Sequence, residues 1–125
     1  LGGAAGGVMI LKRAEELGRL VGQSEEYQAL KRANERLMAD EALKAKLEQL
    51  RTLQMGVEDK LERGEEPAAD VRMQMDAALG TVQSSPIYQA FVAAQANFDK
   101  LMTRLNQQLF EGIRLGAEAR IITLS

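Results

Sequence analysis

Glu41-Ala42-Leu43-Lys44-Ala45-Lys46-Leu47-Glu48-Gln49-Leu50-Arg51-Thr52-Leu53-Gln54-Met55-Gly56-Val57-Glu58-Asp59-Lys60-Leu61 is the stretch that decides the fold class. Leu43, Leu47, Leu50, Gln54, Val57 and Leu61 alternate spacings of four and three, the apolar seam of a helix that packs on another helix. One seam position is polar, and two readings are open for it. Gln54 sits in the seam and fixes register at some cost in stability, or the seam rotates, Leu53 takes over and Gln54 stays wet. Asp40 is a suitable N-cap before this helix. Gly64-Glu65-Glu66-Pro67 follows it as a polar connection holding both helix breakers, so the spacing predicts a helix over about 41–63.

Working outward, a short pattern occurs twice. Ser24-Glu25-Glu26-Tyr27-Gln28-Ala29-Leu30 returns sixty-one positions later as Ser85-Pro86-Ile87-Tyr88-Gln89-Ala90-Phe91, and the two copies hold both tyrosines of the chain. Each reads as a helix start. The serine hydroxyl can accept from one of the first unpaired backbone N–H groups. Pro86 at the first helical position lacks an N–H that has no intrahelical partner there. Glu25 and Glu26 suit the positive end of the helix dipole. The pattern is a scaffold element, two corners of one bundle, and no catalytic group recurs with it.

Three more helices follow from the same logic. Ile10, Leu11, Ala14, Leu17, Leu20 and Val21 predict a first helix over about 9–21, ended or bent by Gly22. The second starts at Ser24 and carries Tyr27, Leu30, Ala33, Leu37 and Met38 up to a break at 39–41. Val71, Met75, Ala78, Leu79 and Val82 mark the fourth, over about 69–83. The last starts at Pro86 and continues to about Arg114, with Phe91, Ala94, Phe98, Leu101, Leu105, Leu109 and Ile113 on one stripe. Ile121-Ile122-Thr123-Leu124 is β-prone but too short to make a sheet, so it reads as a frayed tail or a sticker for a partner.

The expected fold is therefore all-α, an antiparallel helical bundle of about five helices with long third and last helices. A flexible Gly/Ala-rich N-terminus (1–8) precedes a single helical domain (9–115) and a C-terminal tail (116–125). Met9 reads as a natural start, with the residues before it a linker or cloning remnant. The run Val8 to Leu11 is too short for a signal-peptide core, and no stretch reaches the apolar length of a membrane span. The cytoplasm is the expected location.

Composition narrows the chemistry. The 125 residues include no cysteine and no histidine, which excludes disulfides, thiolate or imidazole metal ligands, Cys nucleophiles and His bases. The serines have no histidine to activate them, and Ser24 and Ser85 already have a capping role. Gly2-Gly3-Ala4-Ala5-Gly6-Gly7 follows no strand and lacks the Lys-Ser/Thr of a phosphate loop. Adjacent acids such as Glu15–Glu16 and Glu65–Glu66 point about 100° apart on a helix and do not converge on one ligand. No catalytic residue, cofactor or metal site is expected.

Lys12, Arg13, Arg19, Lys31, Arg32, Arg36, Lys44, Lys46 and Arg51 bias the first half toward positive charge, although the whole chain carries a formal −2. They open two alternatives. One is a small helical enzyme of the chorismate-mutase type, holding a dianion between cations on facing helices. The other is direct RNA binding, disfavoured because no aromatics interleave with the bases. Acids interleave with them instead, as in Glu15–Arg19 and Glu48–Arg51, so ordinary surface ion pairing accounts for them.

The order of these elements resembles the YlbF/YmcA family of small bacterial helical proteins. The residues that carry the resemblance are Tyr27-Gln28-Ala29-Leu30-x-x-Ala33, Asp40-Glu41, Leu50-x-x-Leu53-Gln54, the acidic turn at Gly64 and Ser85-Pro86-Ile87-Tyr88, across about Ile10 to Ile113. The resemblance implies an all-α fold, self-association through long helices and no known active site. Bacillus members regulate competence, biofilm formation and sporulation, in a complex that works with an endoribonuclease in mRNA processing. Some members supply cysteines to iron–sulfur clusters in that complex. This chain has none, so cluster binding does not carry over.

The expected function is thus a non-enzymatic regulatory, protein-interaction module. Its partners would be a second copy in a homodimer and other regulatory, ribonuclease-associated proteins, with no membrane and no direct nucleic-acid binding. Phe98, Leu101, Leu105, Leu109 and Ile113 are the candidate contact surface. The same stripe would equally serve as the core of a monomer, and both readings stay open on sequence alone.

Overall fold

A computed structural model describes residues 2–124, with side chains from 6 to 119. It is all-α: five helices in sequence, and no strand among the described residues. They are α1 (Gly2–Gln23), α2 (Glu25–Ala39), α3 (Glu41–Glu62), α4 (Ala69–Gln83) and α5 (Pro86–Leu124). The third helix has 22 residues and the last 39, so both are long as expected. No described helix is long and apolar enough to cross a membrane.

Two helices outrun their expected ends. α1 begins at Gly2 rather than Met9, and α5 continues to Leu124 rather than stopping near Arg114. Helix nucleation is the costly step and extension is cheap. Ala4 and Ala5 offset part of the glycine cost at one end, and Ala117 and Ala119 support growth at the other. β-Branched residues such as Ile121 and Ile122 disfavour a helix only slightly, so a short β-prone tail does not stop one. The reading of Ile121 to Leu124 as a partner sticker concerns side chains outside the described residues, as does any packing by residues 1–5.

The chain divides into two compact units. One joins residues up to 29 with those from 94 onward, and the other is 30–93. In the 30–93 unit, α3 and α4 pack as a hairpin. Leu37, Leu43 and Val82 form its core, with Leu47, Ile87, Tyr88 and Phe91 packed around them. Val82 is only 1% exposed and Ala78 only 2%, because these small side chains let neighbouring helices approach closely. The α3 seam rotates: Leu50 is buried and Leu53 half-buried, while Gln54 is exposed. A helix with 3.6 residues per turn drifts off a strict heptad unless it supercoils, and 22 residues are enough for the drift to move the seam.

The α3–α4 connection is a Schellman cap. Gly64, at φ 74°, donates its N–H to Leu61 O at 3.0 Å, and Glu65 donates to Lys60 O at 2.8 Å. At the other end of α3, Asp40 Oδ1 accepts from the Leu43 N–H at 2.9 Å, as its sequence position predicts.

Candidate protein-interaction surface

The unit holding both chain ends is built around the first corner. Ser24 Oγ donates to Val21 O at 2.6 Å and accepts from the Tyr27 N–H at 3.1 Å, closing α1 and opening α2 with one hydroxyl. Gln28 Nε2 reaches back to Gly22 O at 2.8 Å, occupying a carbonyl that the end of α1 leaves unpaired. Beyond the corner, Tyr27 meets Phe98 of α5 edge to face, with ring centroids 5.7 Å apart and planes at 61°. Such a pair contributes about 1 kcal/mol beyond its buried area.

From that anchor an apolar groove runs between α1 and α5. Leu17, Leu20 and Val21 line one wall at the corner end, and Leu101, Leu105 and Leu109 the other. Further along, Met9, Ile10 and Ala14 face Met102, and this stretch opens to about 750 Å³. Large apolar side chains stay in water along it: Leu17 is 40% exposed and Leu109 53%.

The candidate contact residues all fall on this unit. Phe98 is half-buried against Tyr27. Leu101, Leu105 and Leu109 come together on the groove wall, the first two half-buried and the third exposed. Ile113 is exposed beyond them on α5. The opposite wall, contributed by α1, is absent from that set. Its signal was the periodic set Ile10, Ala14, Leu17 and Val21, which the spacing marks as one face of a helix without saying what that face meets.

Polar chemistry around the groove is that of a solvated surface. Lys100 and Arg104 share an open depression with Asn97 and the acids Glu25 and Glu26, so cation and anion meet there on nearly equal terms. Arg19 pairs with Glu15 at 2.8 Å and Arg13 with Glu16 at 3.1 Å, all exposed enough for water and salt to screen them. Glu111, then Glu118, holds the Arg114 guanidinium above its ordinary pKa, and Arg114 stays charged throughout. The nine basic residues of the first half are exposed or half-buried, each on its own helix surface.

A family model described as control of competence regulator ComK, YlbF/YmcA, matches residues 10–114. The chain belongs to the YlbF/YmcA family. Among relatives, a UPF0342 protein of Desulfitobacterium hafniense is 29% identical over 104 residues, covering 83% of this chain and 79% of that one. One from Leuconostoc citreum is 25% identical over 99 residues, covering 79% and 84%. A solved structure from Bacillus stearothermophilus, described as a protein of unknown function (DUF964), superposes with a TM-score of 0.60 at 22% identity. It covers 84% of this YlbF/YmcA chain and 92% of its own, and shares its fold. Membership of a family described by control of a regulator supports a regulatory role.

Proposed function

We propose that this YlbF/YmcA protein is a non-enzymatic cytoplasmic regulator that works by holding other proteins on the apolar groove between α1 and α5. The observation that carries the reading is the groove itself: large apolar side chains from two helices line it and stay exposed. Contiguous apolar surface of that kind is a contact face. The contact residues would be Phe98, Leu101, Leu105, Leu109 and Ile113, with the α1 wall opposite. A homodimer is the first assembly. Other regulatory proteins, ribonuclease-associated in the family's manner, are the second, acting on mRNA processing and through it on development.

The alternatives lose ground on the charge pattern. An enzyme holding a dianion needs cations converging in a closed cleft, and Lys100 and Arg104 lie in an open one opposite Glu25 and Glu26. An RNA-binding face needs an uninterrupted positive surface.

Two measurements test the proposal. Solution mass across concentration should give a dimer, and Leu105→Asp should lower it to a monomer; a strict monomer in the wild type would end the idea. Affinity capture from the source cell, comparing wild type with Leu109→Asp, should then lose the same ribonuclease-associated proteins.

A further inference from the structure

We infer that the depression between the start of α2 and the middle of α5 binds a small ammonium–carboxylate zwitterion with an aliphatic side chain, either a free α-amino acid or a short peptide. The inference stands independently of the partner-holding groove.

Two helix faces build the depression, both in the terminal unit, the one that holds the two chain ends. Asn97, Lys100, Leu101 and Arg104 follow one another at spacings that keep them on one face of α5. Glu25, Glu26 and Ala29 stand opposite, in the first turns of α2. The space between is about 440 Å³, within the range of about 300–1,000 Å³ typical of small-molecule sites. Leu101 and Ala29 are half-buried and supply its apolar part.

Unpaired charge collects here. Elsewhere in the unit Arg13 pairs with Glu16, Arg19 with Glu15, and Arg114 with Glu111 and Glu118, while Asp99 accepts from Gln95. Among the described side chains of the unit, the charged groups left without a hydrogen-bond or ion-pair partner are Lys12, Glu25, Glu26, Lys100 and Arg104. All but Lys12 line this one depression. The two walls carry opposite signs on long, flexible side chains, and no ion pair joins them.

Those signs select the ligand. A plain anion that approaches Lys100 and Arg104 also meets Glu25 and Glu26, and a plain cation meets the reverse. A zwitterion satisfies both walls. Its carboxylate accepts from the Lys100 ammonium and the Arg104 guanidinium, and its ammonium donates to the Glu25 and Glu26 carboxylates. Asn97 serves either end, since a side-chain amide both donates and accepts. A quaternary ammonium fits poorly, because such groups are held on aromatic faces and no aromatic residue lines the depression. Leu101 and Ala29 take the aliphatic side chain.

Titration of the isotope-labelled full chain, followed by amide chemical shifts, tests the site. L-leucine and L-leucyl-L-leucine are the zwitterionic probes, N-acetyl-L-leucine lacks the ammonium and L-leucinamide lacks the carboxylate. The expected result is saturable shifts at residues 25–29 and 97–104 with at least one zwitterion. Each blocked form of leucine should bind about tenfold more weakly, having lost its charge-assisted hydrogen bonds. The tighter of the two zwitterions tells a free amino acid from a peptide. Arg104→Gln, at an exposed position, should weaken L-leucine and strengthen L-leucinamide. Glu26→Gln should weaken L-leucine and strengthen N-acetyl-L-leucine, a gain that a defect in folding would not produce. Equal responses to all four probes, or no saturable shift with either zwitterion, would overturn the inference. Neither result would touch the groove, which solution mass and partner capture test separately.

Discussion

The Gln28 side-chain amide donates to the Gly22 carbonyl at 2.8 Å, six residues back and across the corner between α1 and α2. The arrangement recurs at the other corner, where Gln89 Nε2 donates to Gln83 O at 3.0 Å. Ser85 Oγ again accepts from the tyrosine N–H, now Tyr88, at 3.3 Å. In both corners the serine opens the new helix and the glutamine satisfies the end of the old one. Each tyrosine then points into its own unit, Tyr27 onto Phe98 and Tyr88 onto the cluster of Leu37, Leu43 and Val82.

Removing that amide has a defined cost. Gln28→Ala is expected to destabilise the fold by about 1 kcal/mol, the usual worth of a part-buried hydrogen bond. Gln28→Glu should cost more, since a carboxylate cannot donate and meets the negative end of α1. Gln89→Ala should move the same way by less, because that side chain is exposed. Urea titrations read this as lower midpoints at constant slope; unchanged midpoints for both alanine variants would count against the clamp.

The two valines before the corners separate a closed core from an open one. Val82→Ala is expected to cost about 2 kcal/mol, since a side chain buried this fully loses transfer energy and leaves a cavity. Val21→Ala should cost less than about 1 kcal/mol in dilute protein, where water already reaches the groove. Thermal melts at low concentration compare them directly. Equal losses would mean that the terminal unit is as closed as its counterpart.

Local grammar made most of this fold legible. The Leu43–Leu50 spacing, the Asp40 cap, the Gly64 stop and both serine corners are signals carried within one or two turns, and all four stand in the structure. The choice between Gln54 and Leu53 was not legible, because it depends on where the partner helix lies. The role of Gln28 was hidden for a similar reason: the repeat showed that a glutamine recurs, but its acceptor lies on the preceding helix. The candidate surface was half legible. The α5 stripe was singled out by its period; the α1 wall of Ile10, Ala14, Leu17 and Val21 is equally periodic, but only tertiary packing shows that the two stripes face each other.

Backbone positions give predictions of opposite sign. Gly56 and Gly80 sit inside helices with nothing within 4 Å of where a Cβ would be, so Gly56→Ala and Gly80→Ala should each stabilise by up to about 1 kcal/mol. Gly64 holds φ 74° in the Schellman cap, and Gly64→Ala should destabilise by about 1 kcal/mol despite equally open space. Ala68 caps α4 with no side-chain hydrogen bond, so Ala68→Asp should gain about 1 kcal/mol. Differential scanning calorimetry on the four variants tests the signs together. A stabilising Gly64→Ala would contradict the cap.

The last prediction concerns Leu109→Asp and Ile113→Asp. Both side chains are more than half exposed, so a carboxylate there should change the stability of an isolated copy by no more than about 0.5 kcal/mol. Burying the same carboxylate unpaired in an interface costs several-fold more. Wild-type Tm should therefore rise with protein concentration, as it does when association stabilises the native state, while the variants' Tm should stay flat and meet the wild-type value at high dilution. Leu43→Asp, at a core position, should instead unfold its unit at every concentration. A wild-type Tm independent of concentration, or variants that still follow it, would mean that the exposed end of the α5 stripe is not a self-association surface.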